Sequence, residues 1–169
     1  HNGSVEIDSR PGLGTRITVR LPRVQAVDPV AAETDAAGAG HEVTPRRILL
    51  VDDEPWVRDT LRDILTAEGH QVTPAAHGNQ AVELCRQQGF DLVITDRAMP
   101  GMDGEHLAME IKRIRPRIAV ILLTGLGDII RNAGVTSQYV DVIVSKPVTP
   151  DQLRKAMGDA LKSAGAARK

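Results

Sequence analysis

The chain has 169 residues, with 21 Lys and Arg against 22 Asp and Glu, a formal net charge of −1 at pH 7 and a single cysteine. That length suits one medium domain with a short appendage, and the balanced charge offers no electrostatic footprint for nucleic acid. The lone Cys85 excludes an internal disulfide framework and fits a reducing compartment, and the apolar runs are too short to cross a bilayer, so a cytoplasmic fragment without direct membrane contact is expected.

Three regions follow one another along the chain. Residues 1–22 alternate apolar and polar positions at Val5 and Ile7 and again at Ile17, Val19 and Leu21, around Pro11-Gly12-Leu13-Gly14, which predicts two strands and a turn. Two strands alone are marginal in water, so this hairpin is expected to belong to a larger sheet, and the chain, opening on His1, to a longer protein. Residues 23–45 are rich in Ala, Gly, Asp, Glu and Pro without periodicity, the composition of a flexible linker. Residues 46–165 alternate strand and helix signals, and 166–169 form a tail. Strands are predicted at 47–51, about 70–74, 91–95, 118–123 and 140–145.

The helices between them show one apolar face each. Val57, Leu61, Ile64 and Leu65 mark the first, with Pro55 in its opening turn; Ala81, Leu84 and Cys85 the second; Leu107, Ile111 and Ile114 the third. The last carries Leu153, Met157, Ala160 and Leu161 and opens Thr149-Pro150-Asp151-Gln152, with Thr and Gln at capping-box spacing. A helix between Gly125 and Tyr139 is the weak one: Gly127 and Gly134 interrupt it, at about 1 kcal/mol each relative to Ala. It is expected to be short, irregular or mobile. Five near-continuous apolar strands with intervening helices imply a doubly wound parallel sheet covered on both faces.

The chemistry sits at the strand ends. ILLVDD ends on Asp52 and Asp53, LVITD on Asp96, AVILLT on Thr124, and VIVSKP on Lys146 before Pro147. In open α/β sheets ligands bind outside the carboxyl ends of the strands, where the order reverses. With the common order 2-1-3-4-5, that point falls between the strands ending at Asp53 and Asp96. Converging carboxylates repel and call for a cation. Mg²⁺ suits an oxygen-only set, takes one or two carboxylates directly and keeps several waters. It would also shield an anionic phosphoryl donor approaching Asp96, since aspartate is a competent covalent acceptor. Lys146 would pair with one phosphoryl oxygen and the Thr124 hydroxyl would donate to another. Singly, each residue has a plainer role as a helix-start acid, a turn or a cap; the ordered set at successive strand ends is what points to phosphoryl chemistry.

This set resembles the receiver domain of two-component response regulators. The resemblance is carried by Val51-Asp52-Asp53-Glu54, Thr95-Asp96-Arg97-Ala98-Met99-Pro100-Gly101-Met102-Asp103-Gly104, Leu123-Thr124-Gly125 and Ser145-Lys146-Pro147. It implies a flavodoxin-like sheet of order 2-1-3-4-5 and a phosphoacceptor at Asp96. Asp53 would then be the direct Mg²⁺ ligand, Asp52 would assist through water, and the Ala98 carbonyl would complete the protein ligands. Thr124 and Lys146 would bind the phosphoryl group, and the Lys146–Pro147 bond would be cis. Residues 1–22 in turn resemble the closing strands of the ATP-binding domain of sensor histidine kinases, which commonly read S-x-x-G-x-G-T-x-F-x-V-x-L-P; Ile17 replaces the aromatic here. A kinase end, a linker and a receiver together resemble the C-terminal part of a hybrid histidine kinase. The implied partners are the histidine kinase core, in the same polypeptide or another, and a histidine phosphotransfer protein or response regulator. This fragment would accept a phosphoryl group without an ATP site of its own.

Some positions depart from the family pattern. Ile143 stands three residues before Lys146, where receivers usually carry Tyr or Phe, and Tyr139 stands where a glycine often precedes the last strand. A partner surface that switches by order and disorder is expected there. Ala98 and Leu126, two residues after Asp96 and Thr124, cannot orient a water, which predicts slow self-dephosphorylation. Gly12-Leu13-Gly14 lacks the strand-to-helix context of a phosphate loop. His41-Glu42-Val43-Thr44-Pro45 lacks the helical pattern of a phosphodonor box. His70, His77 and His106 lack metal spacing. Cys85 reads as a core residue, Trp56 as a neighbour of the acidic pocket, and Asp103 as a helix N-cap. The rival readings are a degenerate receiver that only docks partners, whose acidic pair, Asp, Thr or Lys would be eroded, and an aspartyl-nucleophile phosphohydrolase, which would need a carboxylate at Ala98.

Overall fold

The structure, a computed structural model, describes residues 4–10, 12, 14–20, 44–125 and 138–166. The segment expected to form the weak helix, Leu126, nearly all of the 23–45 linker, His41, and the end of the tail lie outside the described residues. The chain divides into two units, His1–Glu42 and Val43–Lys169.

In the first unit β1 (Ser4–Arg10) and β2 (Gly14–Arg20) pair antiparallel, with Ile7 opposite Ile17 and Glu6 opposite Thr18. Gly12 and Gly14 hold φ of 81° and 93°, a backbone region that residues with a Cβ seldom adopt. Arg20 donates to Glu6 at 2.7 Å, and the Ser9 and Thr15 hydroxyls meet at 2.8 Å across the strands. Ile7, Ile17 and Val19 are 68%, 63% and 59% exposed, and among the described residues β1 and β2 pair only with each other.

In the second unit β3 (Arg47–Val51), β4 (Gln71–Ala75), β5 (Leu92–Asp96), β6 (Ala119–Thr124) and β7 (Val142–Ser145) form one parallel sheet of order β4-β3-β5-β6-β7. Counted within the unit this is 2-1-3-4-5, so the expected doubly wound fold is the observed one. β5 and β6 are buried at every position, matching their unbroken apolar composition.

Alternation along the strands divides the core. Ile48, Leu50, Ile94, Ile121 and Leu123 face α1 (Pro55–Ala67) and α4 (Pro150–Ala166), packing on Leu61, Leu65, Leu153 and Ala160. Leu49, Val51, Val93 and Val120 face α2 (Gly78–Gln87) and α3 (Gly104–Ile114), packing on Ala81, Cys85, Leu107 and Ile111. Burial lifts the Cys85 thiol to about 11, so it stays protonated and serves as a small core residue.

The helix ends carry the expected caps. Asp103 accepts the His106 N–H at 2.8 Å, and Thr149 and Gln152 exchange hydrogen bonds at 3.0 and 3.3 Å. No helix among the described residues is long and apolar enough to cross a membrane.

Candidate functional site

Parallel register brings the strand ends together. Val51 pairs with Thr95, Asp96 with Leu123, and Thr124 with Ser145, so Asp52, Asp96, Thr124 and Lys146 all stand at the carboxyl edge. The Lys146 N–H donates to the Thr124 carbonyl at 2.8 Å, carrying the β6–β7 ladder one step further, and the Lys146–Pro147 peptide is cis.

The ammonium of Lys146 lies 3.0 Å from Asp52 Oδ2 and 2.5 Å from Asp96 Oδ1. The remaining oxygens are held by backbone: the Glu54 N–H donates to Asp52 Oδ1 at 2.9 Å and the Ala98 N–H to Asp96 Oδ2 at 3.0 Å. Asp52 is 0% exposed, Asp96 7% and Thr124 1%. Burial pushes the Asp52 carboxyl above its ordinary range, against the Glu54 N–H and Lys146, which pull it down. Burial also opposes the charge on Lys146, but its hydrogen bonds to Asp96 and Asp52 outweigh that and raise it. Thr124 donates to the Gly125 carbonyl at 3.3 Å, so its hydroxyl must rotate to reach a ligand over Asp96.

Asp53 follows as a half-buried carboxylate with no ion pair among the described residues, and Ala98 is exposed beside Asp96. No three His, Cys, Asp or Glu side chains among the described residues stand as a ready-made metal cage. Mg²⁺ does not require one, since it takes one or two carboxylates and fills its octahedron with carbonyls and water. Asp52, Asp53 and Asp96 supply three negative charges against the single Lys146, all through oxygen, and that donor set fits the ion.

Three supporting residues escaped the strand-end logic. Arg58 donates to the Asp52 carbonyl at 2.6 Å from the first turn of α1, fixing the chain where it leaves β3. Arg97 pairs with Glu105 at 2.6 Å and ties the β5 exit to α3. Gly104 matters by having no side chain: a Cβ there would lie 2.3 Å from the Asp96 carbonyl oxygen and 2.6 Å from Leu122 Cδ1. The start of α3 therefore rests directly on the phosphoacceptor candidate's backbone. The sequence signal was the glycine closing Met99-Pro100-Gly101-Met102-Asp103-Gly104, which also holds the φ of 81° at Gly101. Trp56 is 70% exposed and lines a cavity of about 390 Å³ beside Lys146, Pro147 and Leu123, so it does neighbour the acidic pocket.

Fold and site together define a doubly wound α/β domain with an acidic, lysine-bridged pocket at its topological switch point. Residues 48–158 match the response regulator receiver domain family, and the chain belongs to it, as a receiver domain of two-component signalling. It is 38% identical over 123 residues to the transcriptional regulatory protein GlrR of Escherichia coli, an alignment covering 73% of this chain and 28% of that protein. It is 32% identical over 155 residues to the sensor protein EvgS of Escherichia coli, covering 90% of this chain and 13% of that protein. Among solved structures, the response regulator protein TrrA of Thermotoga maritima in complex with Mg(2+)-BeF is similar with a TM-score of 0.61 and 34% identity, over 67% of this chain and 96% of that one. The chain thus spans under a third of these two full-length relatives.

Proposed function

We propose that the domain accepts a phosphoryl group on Asp96 from a phosphohistidine in a Mg²⁺-dependent transfer. The observation that carries this is the shared Lys146 ammonium, which holds the Asp96 and Asp52 carboxylates at one point of the sheet edge. A carboxylate oxygen of Asp96 attacks phosphorus, the P–N bond breaks, and the departing imidazole takes a proton from solvent. The Ala98 N–H keeps the other oxygen oriented. As negative charge collects on the transferring oxygens, Lys146 exchanges its Asp96 contact for one of them, and the Thr124 hydroxyl donates to another. Asp53, Asp96 and the Ala98 carbonyl would hold Mg²⁺, with Asp52 acting through water. When bound, the ion supplies neutralising charge for the phosphoryl oxygens. That the similar response regulator protein TrrA is in complex with Mg(2+)-BeF supports a role for Mg²⁺ here.

The reading extends to a hybrid histidine kinase, in which residues 1–22 close the ATP-binding domain, 23–45 link, and 46–165 receive. Support comes from the reach of the alignments: those to the sensor proteins EvgS and BvgS cover 90% and 94% of this chain, against 73% for GlrR. The exposed apolar face of the β1–β2 hairpin supports it as well. The kinase core would be the donor, a histidine phosphotransfer protein or regulator the onward partner, and the cytoplasm the location. Incubation with phosphoramidate and Mg²⁺ followed by intact mass tests the acceptor role. One added phosphoryl group that requires Mg²⁺ is expected; an unchanged mass would leave a docking module, and continuous release of inorganic phosphate at high turnover would favour a phosphohydrolase.

A further inference from the structure

The amino edge of the same sheet gathers charge of the opposite sign. Arg46 and Arg47 enter β3, Phe90 and Asp91 precede β5, and Arg115-Pro116-Arg117 precede β6. With the end of α4 they surround a cavity of about 540 Å³, a size typical of small-molecule sites. Its apolar wall includes Phe90, Ile118 and Leu161, the first two only 8% and 4% exposed, and its cationic rim is Arg46, Arg115 and Arg117. Arg47 stands over the Phe90 ring, 5.8 Å from its centroid.

None of these four arginines forms an ion pair among the described residues. Arg115 donates to the neutral carbonyls of Cys85 at 3.2 Å and Gln88 at 3.1 Å, and Arg47 to the Gln88 amide oxygen at 3.2 Å. A Cβ on Gly89 would lie 3.8 Å from a terminal nitrogen of Arg47 and 3.8 Å from one of Arg115, so two guanidiniums converge on one point with only neutral acceptors between them. Asp91, the carboxylate of the cavity wall, accepts the Arg47 N–H at 2.8 Å. Against the three wall arginines it leaves two positive charges in excess. Guanidinium forks match phosphate oxygens, and most of their donors here are uncommitted.

We propose that this cavity binds an organic phosphate of mononucleotide size, with the phosphate on Arg46, Arg115 and Arg117 and the apolar body against Phe90 and Ile118. The site stands independently of the assignment of Asp96, since it lies at the other edge and needs no metal. The test is calorimetric titration of the 169-residue chain in EDTA with ADP and, separately, inorganic pyrophosphate, backed by amide NMR shifts. Expected are one ADP per chain, pyrophosphate weaker by about tenfold, and amide shifts at residues 46, 90, 114, 115, 117 and 118. Arg46→Gln with Arg117→Gln should weaken ADP by about tenfold or more, while Asp96→Asn leaves it unchanged. Both arginines lie at the surface edge; should the double variant lose its native circular dichroism, Arg117→Gln alone gives the reading. No ADP binding, pyrophosphate binding as tight as ADP, unchanged affinity in the arginine variants, or shifts centred on Asp96 would each overturn the proposal.

Discussion

At the carboxyl edge of the five-stranded sheet, Asp52 and Asp96 share one ammonium at 3.0 and 2.5 Å; at the amino edge, Arg47 and Arg115 share only neutral oxygens of Gln88 and Cys85. In the central strands β5 and β6 every position is buried and, Thr95 apart, the residues between these edges are apolar, so there the polar chemistry gathers at the ends. At the carboxyl edge the carboxylates are buried and must be paired, because an isolated buried charge is too costly to keep. At the amino edge solvent reaches the guanidiniums and tolerates like charges side by side. A buried charge cluster is thus committed to one partner geometry, while an exposed one keeps its donors available.

The largest expected effect is kinetic. Lys146→Gln removes the cation that bridges the Asp52 and Asp96 carboxylates and should slow phosphoryl transfer to Asp96 by about a hundredfold or more, measured as the rate of mass gain with phosphoramidate. If both edges were mere surface charge, the rate would hardly change. Next in size is Gly104→Ala, which drives a Cβ to 2.3 Å from the Asp96 carbonyl oxygen. Relief requires α3 to shift, at about 2 kcal/mol of unfolding free energy in urea, with slower phosphorylation as well. A neutral result would mean that α3 can slide without disturbing Asp96.

The edges should also fail at opposite ends of the pH scale. Lys146 is raised above 10.5, so its contribution is complete below that value and is lost as pH climbs through its folded value. His70, beside the amino edge, accepts the Arg46 N–H at 3.3 Å, and burial holds it below 6.5. The unfolded imidazole takes a proton near 6.5 while the folded one resists, so stability falls as pH drops below that value. Urea midpoints across pH should show both limbs, with His70→Gln flattening the acid limb and Lys146→Gln the alkaline one. The smallest effect concerns lifetime. Exposed Ala98 offers no group to orient water, so phosphorylated protein should decay over hours; Ala98→Asn should shorten that several-fold, and a wild-type half-life of seconds would contradict the account.

Much of this was legible in the sequence because it is local. Strand alternation, the Asp103 cap, the Thr149–Gln152 box and the hairpin each need a few adjacent residues. The carboxyl-edge cluster was legible because parallel strands line up their ends, so Asp52, Asp96, Thr124 and Lys146 meet without any side chain having to be placed. The Lys146 bridge between two carboxylates follows from that alignment. What was not legible depends on reach across the fold. Arg115 finds the Cys85 and Gln88 carbonyls from 30 and 27 residues away, a contact that no periodicity encodes. The Gly104 constraint arises from how closely α3 approaches the β5 backbone, a distance that a sequence pattern does not carry. The doublet Arg46-Arg47 carries no such signal by itself, because its companions Arg115 and Arg117 are supplied by a different strand connection.

On the proposed function Asp96 is the acceptor and the carboxyl edge works as a unit with Mg²⁺. Its most direct test is peptide mapping of the acyl phosphate after reaction with acetyl phosphate, with and without EDTA. A single modified residue, Asp96, is expected, with the modification absent when EDTA is present and absent in Asp96→Asn. Modification at another residue, or at Asp96 undiminished by EDTA, would contradict it.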